Sequence, residues 1–126
     1  ADDGCRPAGG GEVSVFVFGS NLAGRHGKGA ALTALQDHGA IYGCGEGEQG
    51  NAYAIPTKDA QLRPRHLEQI EFSVQRFKAW ATAHPELRFY VTRIGCGLAG
   101  FKDSQIAPMF ADAPFNCELP KRWRKP

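Results

Sequence analysis

Residues 13–21 read VSVFVFGSN, and this stretch decides the fold. Five of its first six residues are valine or phenylalanine, a pattern typical of a central strand that is covered on both faces. The strand is predicted to end at Gly19-Ser20-Asn21, where turn-forming residues begin. A buried strand that runs directly into a glycine-studded loop favours an α/β architecture.

The rest of the chain alternates helices with strands. The predicted elements are a helix over 30–38, a strand over 52–55, a helix over 64–83, a strand over 87–94 and a last helix from Asp103 that Pro108 should kink. The long helix carries one apolar stripe, formed by Leu67, Ile70, Val74, Phe77 and Ala81. Gly39 is expected to close the first helix in a left-handed conformation. Residues 43–50 are so rich in glycine that we predict a mobile loop.

Length and composition favour one ordinary globular domain. A chain of 126 residues buries one substantial core. We expect a disordered leader over residues 1–12, a domain over 13–119 and a solvated basic tail over 120–126. The net charge of +2 is too small for a nucleic-acid-binding stripe across a face. The oligomeric state is not fixed by the sequence, and a monomer is the default.

The sequence contains no apolar run of the roughly 20 residues that a membrane span requires. Its first residues lack the pattern of a signal peptide. The four cysteines, Cys5, Cys44, Cys96 and Cys117, are too scattered for a zinc site or a disulfide scaffold. We therefore predict a reduced, cytoplasmic protein without a metal.

Three loops follow the predicted strands, over residues 21–29, 57–59 and 95–101. In open α/β sheets, loops at the carboxyl ends of strands converge on the ligand crevice. These loops are therefore the candidate site.

Glycine is the one outlier of the composition, with 16 residues where a usual share of about 7% would give fewer. Seven of the glycines lie in or beside the first and third loops. The first loop opens a helix whose N–H groups attract phosphate, although it matches neither a P-loop nor a dinucleotide fingerprint. The two loops could clamp a diphosphate, with Phe101 against a sugar. The alternative is two tight turns, with Phe101 in the core.

Three motifs occur in order: Asn21-x-x-Gly24-x-x-Gly27-Lys28-Gly29-x-Ala31, Ile55-Pro56-Thr57-Lys58, and Arg93-Ile94-Gly95-Cys96-Gly97-Leu98-x-Gly100-Phe101. Together they resemble macrodomains over about residues 13–112. The branch they resemble most holds terminal ADP-ribose protein glycohydrolase and the antitoxin macrodomains that remove ADP-ribose from DNA. The stretch is also similar to phage and bacterial macrodomain-like proteins. This resemblance implies a three-layer α/β/α fold with a mixed central sheet.

The resemblance also implies a site for ADP-ribose or a related nucleotide, with no cofactor. Lys58 matches the lysine that acts at the anomeric carbon of the distal ribose, where an amine can attack or can stabilise the departing group. Asn21 would face that ribose. The other implied ligand contacts are Gly24, Gly27, Lys28, Gly29, Ala30, Thr57, Gly95, Cys96, Gly97, Leu98, Ala99, Gly100 and Phe101.

Two departures from the family pattern leave the function open. Ala99 stands where the protein glycohydrolase carries a catalytic aspartate, and the Gly-Asp pair that holds adenine is absent before Asn21. Asp59 and Asp103 are candidates to replace the acid. Because Lys58 matches the family's lysine, the chain is predicted to hydrolyse an ADP-ribosyl linkage on nucleic acid or protein. The alternatives are a non-catalytic binding module for an ADP-ribose derivative and an ADP-ribose-1″-phosphate phosphatase.

Two further side chains in the loops are weaker candidates. His26 is a possible phosphate contact or an exposed side chain. Cys96 is a possible nucleophile, but no histidine and acid partner can be identified near it in the sequence.

Overall fold

The computed structural model describes residues 14–124. Its elements are β1 (Ser14–Asn21), α1 (Gly29–Asp37), β2 (Gly47–Gln49), β3 (Ala52–Lys58), α2 (Leu67–Ala83), β4 (Arg88–Val91), α3 (Asp103–Ile106) and β5 (Cys117–Glu118), with 3-10 turns over Ala107–Phe110 and Lys121–Trp123. The change from α3 to a 3-10 turn occurs next to Pro108, where a kink was predicted. The predicted leader, residues 1–12, lies outside the described part of the chain.

The strands form one five-stranded sheet in the order β2-β3-β1-β4-β5. β1 pairs in parallel with both β3 and β4, and β4 pairs in parallel with β5. β2 pairs antiparallel with β3, so the sheet is mixed. This confirms the predicted α/β fold class, with the stretch 14–21 as the central strand.

Alternate residues of the strands face two different helical layers. Val15 and Val17 of β1 pack with α2, whereas Phe18 packs with α1. The same alternation in β3 turns Tyr53 and Ile55 to the α2 side and two alanines to the α1 side. All five residues of the predicted stripe of α2 belong to this core or pack against it. The result is the predicted three-layer α/β/α arrangement.

The segment 43–50 is not the mobile loop that its composition predicted, because it contains β2. Gln49 explains the order of this segment, since its side chain is fully buried. Its amide nitrogen donates to the carbonyls of Cys44 (3.1 Å) and Gly47 (3.2 Å), and its Oε1 accepts from the N–H of Ile41 (2.9 Å). These bonds satisfy the backbone of the segment, which glycine content alone could not reveal.

The boundaries of β3 and α2 also differ from the prediction. β3 continues through Pro56 to Lys58, because β2 pairs only with Ala52–Ala54 and no ladder bond needs the missing N–H of Pro56. α2 begins at Leu67 instead of Pro64, because the N–H of Arg65 donates back to the carbonyl of Thr57 at 2.9 Å.

Packed residues continue beyond residue 119, the predicted end of the domain. Trp123 packs against the main core, with its ring centroid 5.3 Å from that of Phe110. Its indole Nε1 donates to Asp103 at 2.6 Å. The described part of the predicted basic tail is therefore anchored through Trp123.

The cysteines differ from the prediction of a fully reduced chain. Cys44 is disulfide-bonded, whereas Cys96 and Cys117 are free thiols. Within residues 14–124, no helix combines the length and the apolar character that a membrane span requires.

Candidate functional site

A cavity of about 530 Å³ opens at the carboxyl ends of β1, β3 and β4. Its volume lies in the usual range for small-molecule sites. The residues that line it are Gly19, Ser20, Asn21, Arg25, Gly27, Lys28, Gly29, Ala30, Ala31, Thr57, Lys58, Leu62, Thr92, Arg93, Ile94, Gly95, Gly97, Leu98 and Ala99. The three loops that the sequence singled out therefore meet at one cavity, because their strands are parallel neighbours.

The N-terminus of α1 forms one wall. Lys28 precedes the helix in extended conformation, and Gly29 begins it with a φ of +59°. The N–H groups of the first helical residues, Gly29, Ala30 and Ala31, have no acceptor within the helix. This wall thus offers N–H donors and the positive end of the helix dipole to a ligand.

The loop after β4 forms the opposite wall. Gly95, with a φ of +76°, turns the chain, and its carbonyl accepts from the N–H of Phe101 at 2.8 Å. The N–H groups of Gly97, Leu98 and Ala99 donate to no acceptor within the described part of the chain. Both walls therefore offer unused backbone donors to an anion between them.

The main chain around Lys58 is held on both sides. Its carbonyl accepts from the N–H of Leu22 at 3.0 Å, and its backbone pairs with Pro64 in an isolated bridge. The guanidinium of Arg65 donates to the carbonyl of Pro56 (2.8 Å) and to the hydroxyl of Ser73 (3.0 Å), which ties this region to α2. The Lys58 ammonium has no partner among the described residues, so a fixed backbone presents a free cation to the cavity.

Among the described residues, the charged side chains that line the cavity are all positive: Arg25, Lys28, Lys58 and Arg93. Arg93 is neutralised, because its Nε and Nη2 donate to the carboxylate of Asp103 at 2.9 and 2.7 Å. The other three have no ion pair within residues 14–124. The cavity is therefore suited to an anionic ligand.

Of the predicted site residues, the structure brings together at the cavity Asn21, Gly27, Lys28, Gly29, Ala30, Thr57, Lys58, Gly95, Gly97, Leu98 and Ala99. Four others lie elsewhere: Gly24, Cys96, Gly100 and Phe101. Gly24 is buried against residues 43–44, where an added Cβ would lie 2.3 Å from the Gly43 carbonyl carbon. Gly100 closes a turn by donating to the carbonyl of Gly97 at 3.0 Å.

Phe101 and Cys96 lie on the core side of the second loop. The ring of Phe101 packs against the main core and beneath Gly95, which is the alternative that the sequence left open. Burial and a hydrogen bond to Asp103 raise the pKa of the Cys96 thiol to about 11. A protonated thiol that packs against the core and does not line the cavity is unsuited to nucleophilic attack.

The two candidate replacement acids are occupied by structural bonds. Asp59 accepts from the N–H groups of Gln61 and Arg63, both at 2.9 Å. Asp103 accepts from Arg93 and Trp123. Neither carboxylate lines the cavity, so neither takes the place of the acid missing at Ala99.

His26 is neither exposed nor a ligand contact. It is completely buried, and its Nε2 lies 3.0 Å from the carbonyl oxygen of Cys44 and 3.1 Å from Oε1 of Gln49. It therefore joins the first loop to the β2 segment.

Eight residues that line the cavity were not among the predicted ligand contacts: Gly19, Ser20, Arg25, Ala31, Leu62, Thr92, Arg93 and Ile94. Arg25 adds a charge to the wall, and Leu62 adds an exposed apolar side chain. Arg25 lay inside the first quoted motif, at a position that the motif leaves unspecified. Leu62 has a φ of +67°, which is rare outside glycine and has no sequence signal. It is exposed at the rim, as is Leu98 on the facing loop.

No family model matches the sequence, and no curated protein matches it. Two solved structures have a similar fold. A protein of unknown function from Bacteroides thetaiotaomicron is 18% identical with a TM-score of 0.58, and the match covers 87% of this chain and 88% of that one. Thermosipho africanus DarTG, in complex with ADP-ribose, is 16% identical with a TM-score of 0.58. That match covers 88% of this chain and 39% of DarTG.

At these identities the likeness shows the fold alone. It supports the macrodomain-like architecture that the three motifs predicted.

Proposed function

We propose that the cavity binds ADP-ribose or a related nucleotide, and that the protein hydrolyses an ADP-ribosyl linkage on nucleic acid or protein. One observation carries the proposal: two walls of unused backbone donors and three unpaired cations meet at one cavity. A diphosphate is the group that uses both features. The ADP-ribose complex of the similarly folded DarTG supports this choice of ligand.

In this proposal Lys58 acts at the anomeric carbon of the distal ribose. It is on the cavity wall formed by β3, opposite Asn21 in the register of β1 and β3. From there the ammonium of Lys58 would donate a proton to the acceptor atom while the bond between that atom and the anomeric carbon breaks, and water would then add to the carbon and return a proton to the amine. Alternatively, after losing a proton, Lys58 would itself attack the carbon as the same bond breaks, and water would then cleave the bond to the lysine. The diphosphate contacts would supply orientation and electrostatic stabilisation.

A non-catalytic binding module is the second candidate, favoured by Ala99 and by the occupied carboxylates of Asp59 and Asp103. Among the described residues, the cavity lining offers no carboxylate to act beside Lys58. Such a protein would bind an ADP-ribose derivative and release nothing.

The hydrolase and the binding module differ in whether the protein releases ADP-ribose from a modified substrate. We would incubate the protein with ADP-ribosylated DNA and with automodified protein, beside Lys58→Ala and a control, Lys121→Ala, which removes an exposed lysine that does not line the cavity. We expect released ADP-ribose, a loss of at least about a hundredfold in rate for Lys58→Ala and no more than about a twofold change for the control.

If the unmodified protein binds these substrates but releases no ADP-ribose, the protein is a non-catalytic binding module. Release of inorganic phosphate from ADP-ribose-1″-phosphate would assign the phosphatase alternative.

A further inference from the structure

The side chain of Asn21 makes two hydrogen bonds to the main chain of one residue, Arg25. Its Oδ1 accepts from the N–H of Arg25 at 2.9 Å, and its Nδ2 donates to the carbonyl of Arg25 at 3.1 Å. The backbone carbonyl of Asn21 also accepts from the N–H of Gly24 at 2.9 Å. One amide thus closes the turn over residues 21–25 with a donor bond and an acceptor bond.

Asn21 is a rigid base for this turn. It is the last residue of β1, it is 6% exposed, and a shift in register after Ser20 places it opposite Lys58. Because the strand fixes Asn21, its two bonds fix the main chain of Arg25 relative to the sheet. Turning the amide toward a ligand would break both bonds.

The side chain of Arg25 is free, in contrast to its main chain. The residue is exposed and lines the cavity, and its guanidinium has no partner within the described part of the chain. It lies three residues before Lys28, at the wall where the α1 N–H groups begin. The planar fork of a guanidinium fits a phosphate better than a point charge does.

We infer that Arg25 binds the diphosphate and that Asn21 is the positioning residue that holds it there, instead of a contact to the distal ribose. The inference rests on the proposed function, because it names the groups that read the anionic part of the same ligand. It changes the role that the family resemblance implies for Asn21.

Two ligands that share the adenosine diphosphate test this inference: ADP lacks the distal ribose of ADP-ribose, and its terminal phosphate carries about one more negative charge. We would measure the affinities of the full chain and its variants for ADP-ribose and for ADP by calorimetry. Asn21→Ala should weaken both ligands by the same factor, about tenfold or more. Arg25→Ala should also weaken both equally, and the double variant should lose less than the product of the two single losses, because the residues act as one unit.

A loss confined to ADP-ribose in Asn21→Ala would overturn the inference, since it would reveal a ribose contact. Unchanged affinities in Arg25→Ala would overturn the assignment of that residue. If the alanine variant of Asn21 folds poorly, Asn21→Ser is a second variant for the same comparison, because its neutral hydroxyl keeps an acceptor near the Arg25 N–H without adding a negative charge to the cavity. Failure of the unmodified protein to bind either nucleotide would instead refute the proposed function, and this inference with it.

Discussion

Asp103 shows how one side chain organises the second ligand loop without joining the site. It receives two hydrogen bonds from Arg93 and one from the indole of Trp123. These donors, the Arg93 guanidinium first among them, hold the pKa of the carboxyl well below its usual range. Arg93 lines the cavity, so Asp103 connects the cavity wall to the C-terminal segment.

A lowered pKa makes this carboxylate a pH-dependent source of stability. Because the pKa in the folded state lies below the unfolded value of about 3.9, the stabilisation is present above that value. It is lost as the pH falls toward the folded pKa. We expect Asp103→Asn to lower the Tm by several degrees at pH 7, and the difference from the unmodified protein to shrink below about pH 4.

Thermal unfolding from pH 7 to pH 2 measures this effect. Asp37→Asn is the control, because this exposed residue ends α1 far along the chain from the second loop. A Tm difference for Asp103→Asn that stayed constant down to pH 2 would contradict this role of the carboxylate.

At the scale of elements, glycines of the same loop serve different purposes. Gly24 has a φ of +71° and its missing Cβ makes room for the backbone of residues 43–44. Gly27 has nothing within 4 Å of an added Cβ and lines the cavity. The first glycine therefore packs the loop against the β2 segment, and the second leaves the ligand wall open.

Alanine substitutions separate these two purposes. Gly24→Ala should destabilise the fold by about 3 kcal/mol, because it combines a clash with a strained φ. Gly27→Ala should change the free energy of unfolding by no more than about 0.5 kcal/mol. Urea denaturation of both variants measures the effect, and equal stabilities would show that the loop does not pack against residues 43–44 as described.

The elements that were predicted correctly are those in which the spacing of apolar residues along the sequence matches the residues that are buried in the fold. β1 is recognisable because Val15, Val17 and Phe18 are covered on both faces, and α2 because its stripe recurs at helical spacing. β2 was missed because its order depends on Gln49, whose partners include Ile41, eight residues away in sequence, and His26, 23 residues away. Periodicity does not report such side-chain bonds to the backbone.

On the scale of the whole molecule, topology assembles the candidate site. β1 has parallel neighbours on both sides, so the loops after β1, β3 and β4 must open at one edge of the sheet. The convergence was therefore predictable from the order of elements. The direction of each side chain was not: Phe101 turned to the core and Arg25 to the cavity, although both lie in the predicted loops.

The C-terminal segment adds a packed element that composition concealed. Its run of lysines and arginines indicated a solvated tail, but Trp123 within that run packs on Phe110 and bonds to Asp103. The ring of Trp123 anchors this segment, because packing an aromatic ring against the core contributes more to stability than the small change in solvation of the exposed charged residues beside it.

A calorimetric titration of the unmodified protein with ADP-ribose tests the central claim most directly. We expect saturable binding with one site per chain and a Kd below about 100 μM, or more than about 5 kcal/mol of binding free energy. Affinity should fall as salt is raised, because the exposed cations of the cavity are screened. Adenosine, which lacks the diphosphate, should bind far more weakly. The absence of saturable heat at millimolar ADP-ribose would contradict the account.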